Sequence, residues 1–183
     1  LNKDLKILET YHFVIKQVYD NRPLMETAYY AEKRPYYTKL MQGRTAKKVN
    51  LGIAMRKLQA MITKYNIKSI FAYNAPFDKR AIKFTTDFFK VKNPTERTVW
   101  HDIMSLANHQ IHNTKEYKEF CIENNYITPK GYIKTGAETT YEFLSGRPFA
   151  ESHIGIQDAY IENEILKNCK DIFKHKKKKF IRA

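Results

Sequence analysis

The spacing of hydrophobic and polar positions changes along the chain, and each change marks an element. Residues 5–15 (LKILETYHFVI) concentrate β-branched and aromatic side chains and are predicted as a strand, although the alternation is imperfect. Asn2-Lys3-Asp4 before it reads as a hairpin turn, which would put a partner strand before Leu1. Residues 22–44 are Tyr-rich, basic and interrupted by Pro23 and Pro35, and are read as a loop with short helical pieces. A period near 3.6 then appears over residues 47–65. Leu51, Ala54, Met55, Leu58, Met61, Ile62 and Tyr65 share one face of a helix there, with Asn66 as its stop.

The strand KSIFAY (residues 68–73) follows, then a turn at Asn74-Ala75-Pro76 and a helix over 77–89. A short strand over 98–100, a helix over 102–111 and a helix from Thr114 to Glu123 come next, with Thr114 as N-cap. Thr135 is expected to cap a helix reaching Leu144, and a last helix runs over 156–173. Alternating strands and helices predict an α/β fold. Hydrophobic residues make up 43% of 183, enough for one domain with a core, taken as residues 1–173, followed by a basic tail over 174–183.

Charge narrows the class of partner. The formal net charge is +14, and Lys174, Lys176 to Lys179 and Arg182 carry only part of it. A body this basic favours a polyanionic partner, nucleic acid first, over charge carried only for solubility. Cys121 and Cys169 have no metal-type spacing and form no disulfide framework, which fits a reducing, cytoplasmic setting. No apolar run reaches membrane-spanning length and no secretory leader is read, so no membrane partner is expected.

Two stretches carry candidate chemistry. In SIFAYNAPFDKRAI, Asp78 falls in a helix's first turn just beyond the carboxyl end of a strand, the edge where ligand sites of open α/β sheets gather. A carboxylate there can hold a hard cation such as Mg²⁺, or it can simply favour the helix dipole. In ESHIGIQDAYIENEIL, Asp158 is placed in a first helical turn and His153 in the loop before it. Gly155 between them lets the backbone come close to a substrate. A histidine there suits proton abstraction from water, and its plainer reading is a solvent-facing side chain. Taken singly, each stretch favours the plainer reading. Asn74 is read as shaping the turn. Phe77 is read as core, with a place beside a terminal nucleotide as its other reading. AYYAEKRPYYTKL interleaves Tyr29, Tyr30, Tyr36 and Tyr37 with Lys33, Arg34 and Lys39, which suits single-stranded nucleic acid as well as loop packing.

Together, AYNAPFD and HIGIQDA resemble the second and third motifs of the DEDD-type 3′–5′ exonucleases, in the histidine branch that includes proofreading subunits of bacterial DNA polymerases. TVWHDIMSLA and YKEFCIENNYITPKGYIKTGAETTYEFLSG are similar to phage-type members, so the resemblance covers most of the chain. It implies a ribonuclease H-like mixed sheet flanked by helices. It implies Asp78 and Asp158 as ligands of two Mg²⁺ or Mn²⁺ ions, about 3.5–4 Å apart in such sites. It implies His153 as general base, and Asn74 and Phe77 near the substrate. The substrate would be a single-stranded 3′ end, DNA ahead of RNA, with a DNA polymerase as a partner and a bacterial or phage-infected cytoplasm as the setting.

The family's first motif, Asp-x-Glu on the first strand, is absent from the 183 residues; Asp4 and Glu9 are wrongly spaced for it. By resemblance residues 5–15 align with the family's third strand, so the first strands are expected before Leu1. This chain by itself is then expected to be nearly inactive. The rival readings are a catalytically dead nuclease-fold protein that binds nucleic acid or a polymerase, an RNA-directed exoribonuclease, and a metal-independent scaffold in which Asp78 and Asp158 only start helices.

Overall fold

Strands and helices are mixed in an α/β arrangement in the computed structural model, which describes residues 1–149 and 154–172. They divide into two units. The first comprises residues 1–71, 75–101 and 154–156, and the second residues 72–74, 102–149 and 157–172.

In the first unit, β1 (Phe13–Ile15) pairs in parallel with β2 (Lys47–Val49), with Phe13 opposite Lys47 and Ile15 opposite Val49. The connection is a chain of short helices: α1 (Lys16–Tyr19), α2 (Arg22–Met25), α3 (Ala28–Ala31) and α4 (Arg34–Gln42). Pro23 and Pro35 fall in the first turns of α2 and α4, where a missing N–H costs nothing. The Asn21 side chain caps α2 by accepting from the Leu24 N–H at 3.2 Å, and Met25 anchors it in the core.

Two expectations change here. The strand expected over 5–15 is only Phe13–Ile15, and Ile7, Leu8 and Tyr11 are exposed. Backbone groups make a strand only where a neighbour takes their hydrogen bonds; β2 reaches only the His12 carbonyl, through the Lys47 N–H at 3.0 Å, and no described strand pairs with residues 5–11. The turn at Lys3-Asp4 does form, with the Asn2 Oδ1 accepting from the N–H groups of Asp4 at 3.0 Å and Lys6 at 2.8 Å. The second change is the helix expected to begin at Lys47: residues 47–49 are β2. Asn50 is extended (φ −67°, ψ 146°) and separates that strand from α5 (Leu51–Lys64).

Leu51 and Ala54 of α5 are buried, and the Leu51 N–H donates to the Gln17 Oε1 of α1 at 3.1 Å. Asn66 stops α5 in the left-handed region, at φ 50°. β3 (Ser69–Ala72) follows, then α6 (Ala75–Phe88) and β4 (Val99–Asp102), which pairs with β3. The amino ends of the two strands lie side by side, since the Val99 N–H donates to the Lys68 carbonyl at 2.9 Å. Among the described residues the strands make these two separate two-stranded pairs.

The second unit is mostly helical. α7 (Ile103–Ala107) runs into a π-helical turn (Asn108–His112), and α8 (Lys115–Glu123), α9 (Ala137–Ser145) and α10 (Gly155–Lys167) follow. Asp102 caps α7 through the Met104 N–H, and Thr114 caps α8 through the Tyr117 N–H. Gly136, not Thr135, takes the N-cap of α9, and Gly146 ends that helix with φ 65°. α10 stops at Lys167 rather than near 173, as the N–H groups of Asn168 and Cys169 turn back to the carbonyls of Ile165 and Leu166. Ile103, Leu106, Ala107, Ile161, Ile165 and Leu166 are buried. Tyr117 and Phe143 meet edge to face, with ring centroids 5.1 Å apart. No helix among the described residues is long and apolar enough to cross a membrane.

Candidate functional site

β3 ends at Ala72, and the chain reverses through Tyr73 and Asn74 into α6. Asn74 has φ 62°, a left-handed conformation that asparagine tolerates better than most residues and that makes the turn tight. Its N–H donates to the Asp102 Oδ1 at 2.9 Å. The same carboxylate accepts from the Met104 N–H at 3.1 Å and the Ser105 hydroxyl at 2.8 Å. One aspartate thus caps α7 and holds the turn after β3.

Asp78 lies in the first turn of α6, as the Pro-containing turn predicts. Phe77 beside it is 59% exposed, so its reading as core is corrected. The helix begins at Ala75, which takes the buried position, and Phe77 falls on the outer face. Phe84 and Phe88 of α6 are exposed as well, their rings 6.3 Å apart and stacked.

Asp158 lies in the first turn of α10. Its Oδ1 is buried and has no hydrogen-bond partner among the described residues. A carboxylate oxygen cut off from water without a donor is costly, and a hard cation is one group that offsets the cost. Among the described residues no three His, Cys, Asp or Glu converge into a metal-holding group. His153 lies outside the described residues.

A hollow of about 300 Å³ in the first unit brings together two stretches that the sequence leaves separate. Tyr30 and Tyr37, from AYYAEKRPYYTKL, line it with Gly155 of HIGIQDA, and His12, Val14 and Val18 complete the wall. A Cβ built on Gly155 would meet nothing within 4 Å and would point into open space. Burial pushes the His12 imidazole below its ordinary pKa. Tyr29 and Tyr36 of the same stretch are exposed, and the Lys33 ammonium sits 3.5 Å from the centre of the Tyr29 ring.

Two other histidines have structural partners. His101 Nε2 lies 3.2 Å from the Ser69 hydroxyl, and its ring stacks on Phe71. His112 is buried, with Nε2 2.8 Å from the Thr140 hydroxyl and Nδ1 2.6 Å from the Asn108 amide. The Asn108 Oδ1 can only accept, so the His112 Nδ1 carries the proton and donates to it, leaving Nε2 to accept from the Thr140 hydroxyl. Tyr73, from the turn after β3, donates to the Thr135 carbonyl at 2.6 Å, and burial raises its pKa.

Sequence patterning missed this Tyr73–Thr140–His112 network, whose members are far apart in the chain. It also missed a cavity ringed by lysines and arginines at the amino ends of β3 and β4. Comparison with protein-family models, curated proteins and solved structures returned no match.

Proposed function

We propose that this chain is a 3′–5′ exonuclease domain of the DEDD type, histidine branch, with a ribonuclease H-like fold, and that it handles single-stranded DNA ends in the cytoplasm. The observation that carries this reading is the hollow in which Tyr30 and Tyr37 meet Gly155 of the His–Asp motif. Aromatic walls offer a base a stacking surface, and the missing side chain at Gly155 leaves room for a backbone.

Asp78 and Asp158 hold divalent ions in this reading, supported by their helix-start positions and the unpaired Asp158 Oδ1. When bound, Mg²⁺ or Mn²⁺ supplies Lewis-acid stabilisation of charge at the phosphodiester oxygens. His153 takes the proton of the attacking water, Tyr30 and Tyr37 orient the terminal base, and Lys33 and Lys39 offset phosphate charge.

A second reading has its own support: no Asp-x-Glu occurs in these 183 residues. A chain with only half of the ligands binds nucleic acid or a polymerase without cutting.

Thermal melting with Mn²⁺ tests the ligand assignment, because an ion bound only by the folded state raises Tm. Mn²⁺ is expected to raise Tm of the chain and to do so less in Asp78→Asn and Asp158→Asn. A full Mn²⁺ shift in both variants overturns the assignment. Matched 3′-labelled DNA and RNA oligomers then separate the DNA-directed from the RNA-directed reading. This chain should bind DNA more tightly than RNA and shorten neither. Mg²⁺-dependent shortening abolished by Asp158→Asn would show that the carboxylates present suffice for catalysis.

A further inference from the structure

The cavity at the amino ends of β3 and β4 has a volume of about 720 Å³ and lies wholly in the first unit. Its walls are one side of α5 and the turn between α6 and β4. Met55, Ile62, Ile67 and Val91 give it an apolar lining. Arg56, Lys68, Lys90, Lys92 and Arg97 stand around it, against the single carboxylate of Glu96. All five cations are exposed, and none forms an ion pair with a carboxylate of the described residues. Asparagine, glutamine and threonine (Asn93, Gln59, Thr98) add uncharged hydrogen-bonding groups.

Five cations against one carboxylate around a concavity make a place where a polyanion is attracted. The volume falls within the range of about 300–1,000 Å³ typical of small-ligand sites. Apolar lining with a cationic rim matches a nucleotide's two parts, base and phosphate. Lys68 and Thr98 immediately precede β3 and β4, whereas Asp78 follows the carboxyl end of β3. The cavity is therefore at the opposite end of β3 from Asp78.

The geometry points to a second nucleic-acid site, separate from the proposed catalytic one: this cavity takes a short length of single-stranded nucleic acid, a base against Met55, Ile62 and Val91 and the phosphodiesters on Arg56, Lys92 and Arg97. Nothing in this depends on the chain being a nuclease. A catalytically dead protein would bind the same way, and binding here requires no metal.

Fluorescence anisotropy with labelled oligothymidylate in EDTA tests it, comparing three variants. The triple change Arg56→Gln, Lys92→Gln, Arg97→Gln should raise Kd by tenfold or more at low salt. It should also make the slope of log K against log salt shallower by about 2, at about 0.7 per phosphate contact on a single strand. A control triple change of exposed cations elsewhere (Lys3→Gln, Lys118→Gln, Lys130→Gln) removes equal charge and should have a much smaller effect. Gly52→Leu fills the cavity and leaves the net charge unchanged. A Cβ there would meet the Arg56 Nη1 at 3.6 Å, an ordinary contact, and leucine favours the helix more than glycine does. It should weaken binding and leave the circular dichroism of the protein intact.

Equal effects of the two triple changes would overturn the site in favour of diffuse charge. Unchanged affinity in Gly52→Leu would overturn the cavity as the binding place. Displacement of the oligomer by inorganic phosphate or a mononucleotide at comparable concentration would make the ligand a free phosphate compound and overturn the strand. Loss of Mn²⁺ response in Asp78→Asn with oligomer binding intact would leave this site standing whatever the fate of the nuclease reading.

Discussion

His112 shows what one buried residue does to the whole molecule's response to acid. Burial holds its pKa down at about 4, against an ordinary 6.5. The unfolded chain takes up a proton near pH 6.5 and the folded one only near pH 4. The stability His112 contributes is therefore complete above pH 6.5 and is lost as pH falls through that window. At about 1.4 kcal/mol per pH unit, the loss is on the order of 3 kcal/mol by pH 4. His112→Phe should lower Tm at pH 7, since Thr140 and Asn108 lose their partner. It should also flatten the decline of Tm between pH 6.5 and 4; a variant with the parent's slope there would rule His112 out as the group responsible. No local signal in NHQIH distinguishes this histidine from His109, which is exposed. Its partner Thr140 arrives from α9, so the burial that sets its pKa exists only in the folded chain. Phe77 errs the other way: an apolar residue after a turn suggests core, but α6 starts two residues earlier and hands the buried position to Ala75.

Among elements, those fixed by local chemistry were legible and those fixed by pairing were not. Thr114 and Asn66 mark helix ends by side chain or backbone preference, and each does so in the structure. Lys47–Val49 and residues 5–12 depend on what lies beside them, which periodicity does not record. Residues 5–12 instead owe their place to a polar knot. The Glu9 carboxylate accepts from the Tyr11 hydroxyl at 2.6 Å, the Tyr65 hydroxyl at 2.7 Å and the Lys64 ammonium at 2.9 Å. The hydrogen bond from Tyr11 above all, then those from Lys64 and Tyr65, lowers the Glu9 pKa to about 2. Its contribution is present above the ordinary carboxylate value of 4.5 and disappears as pH falls toward 2. Glu9→Ala should release this segment from the end of α5. Hydrogen exchange should then accelerate at residues 5–11 and stay unchanged at Leu51 and Ala54; unchanged exchange at 5–11 would mean that apolar contacts hold the segment instead.

At the scale of the molecule the dominant fact is charge, and composition alone made it plain: +14, with much of it outside the tail. What composition left open is whether that charge is spread evenly or gathered, and the ring of Arg56, Lys68, Lys90, Lys92 and Arg97 is a gathering. These residues come from α5, the start of β3 and the turn before β4, so no run of basic residues in the chain foretells them. The only such run is the tail, and the two sources can be weighed separately. Ending the chain at residue 173 removes six of the 33 Lys and Arg and none of the 19 Asp and Glu, which takes the net charge from +14 to +8. Long-range attraction weakens with it, so the truncated chain should bind oligothymidylate less tightly at low salt. The contacts in the cavity survive truncation. A slope of log K against log salt of at least about −2, the share of three phosphates on a single strand, should therefore remain. Adding the Arg56→Gln, Lys92→Gln, Arg97→Gln change to the truncated chain should then remove most of that residual slope. If truncation alone abolishes binding, the tail is the nucleic-acid element and the body's charge serves solubility. If truncation leaves affinity and slope untouched, the tail contributes nothing and the body accounts for all of the electrostatic binding.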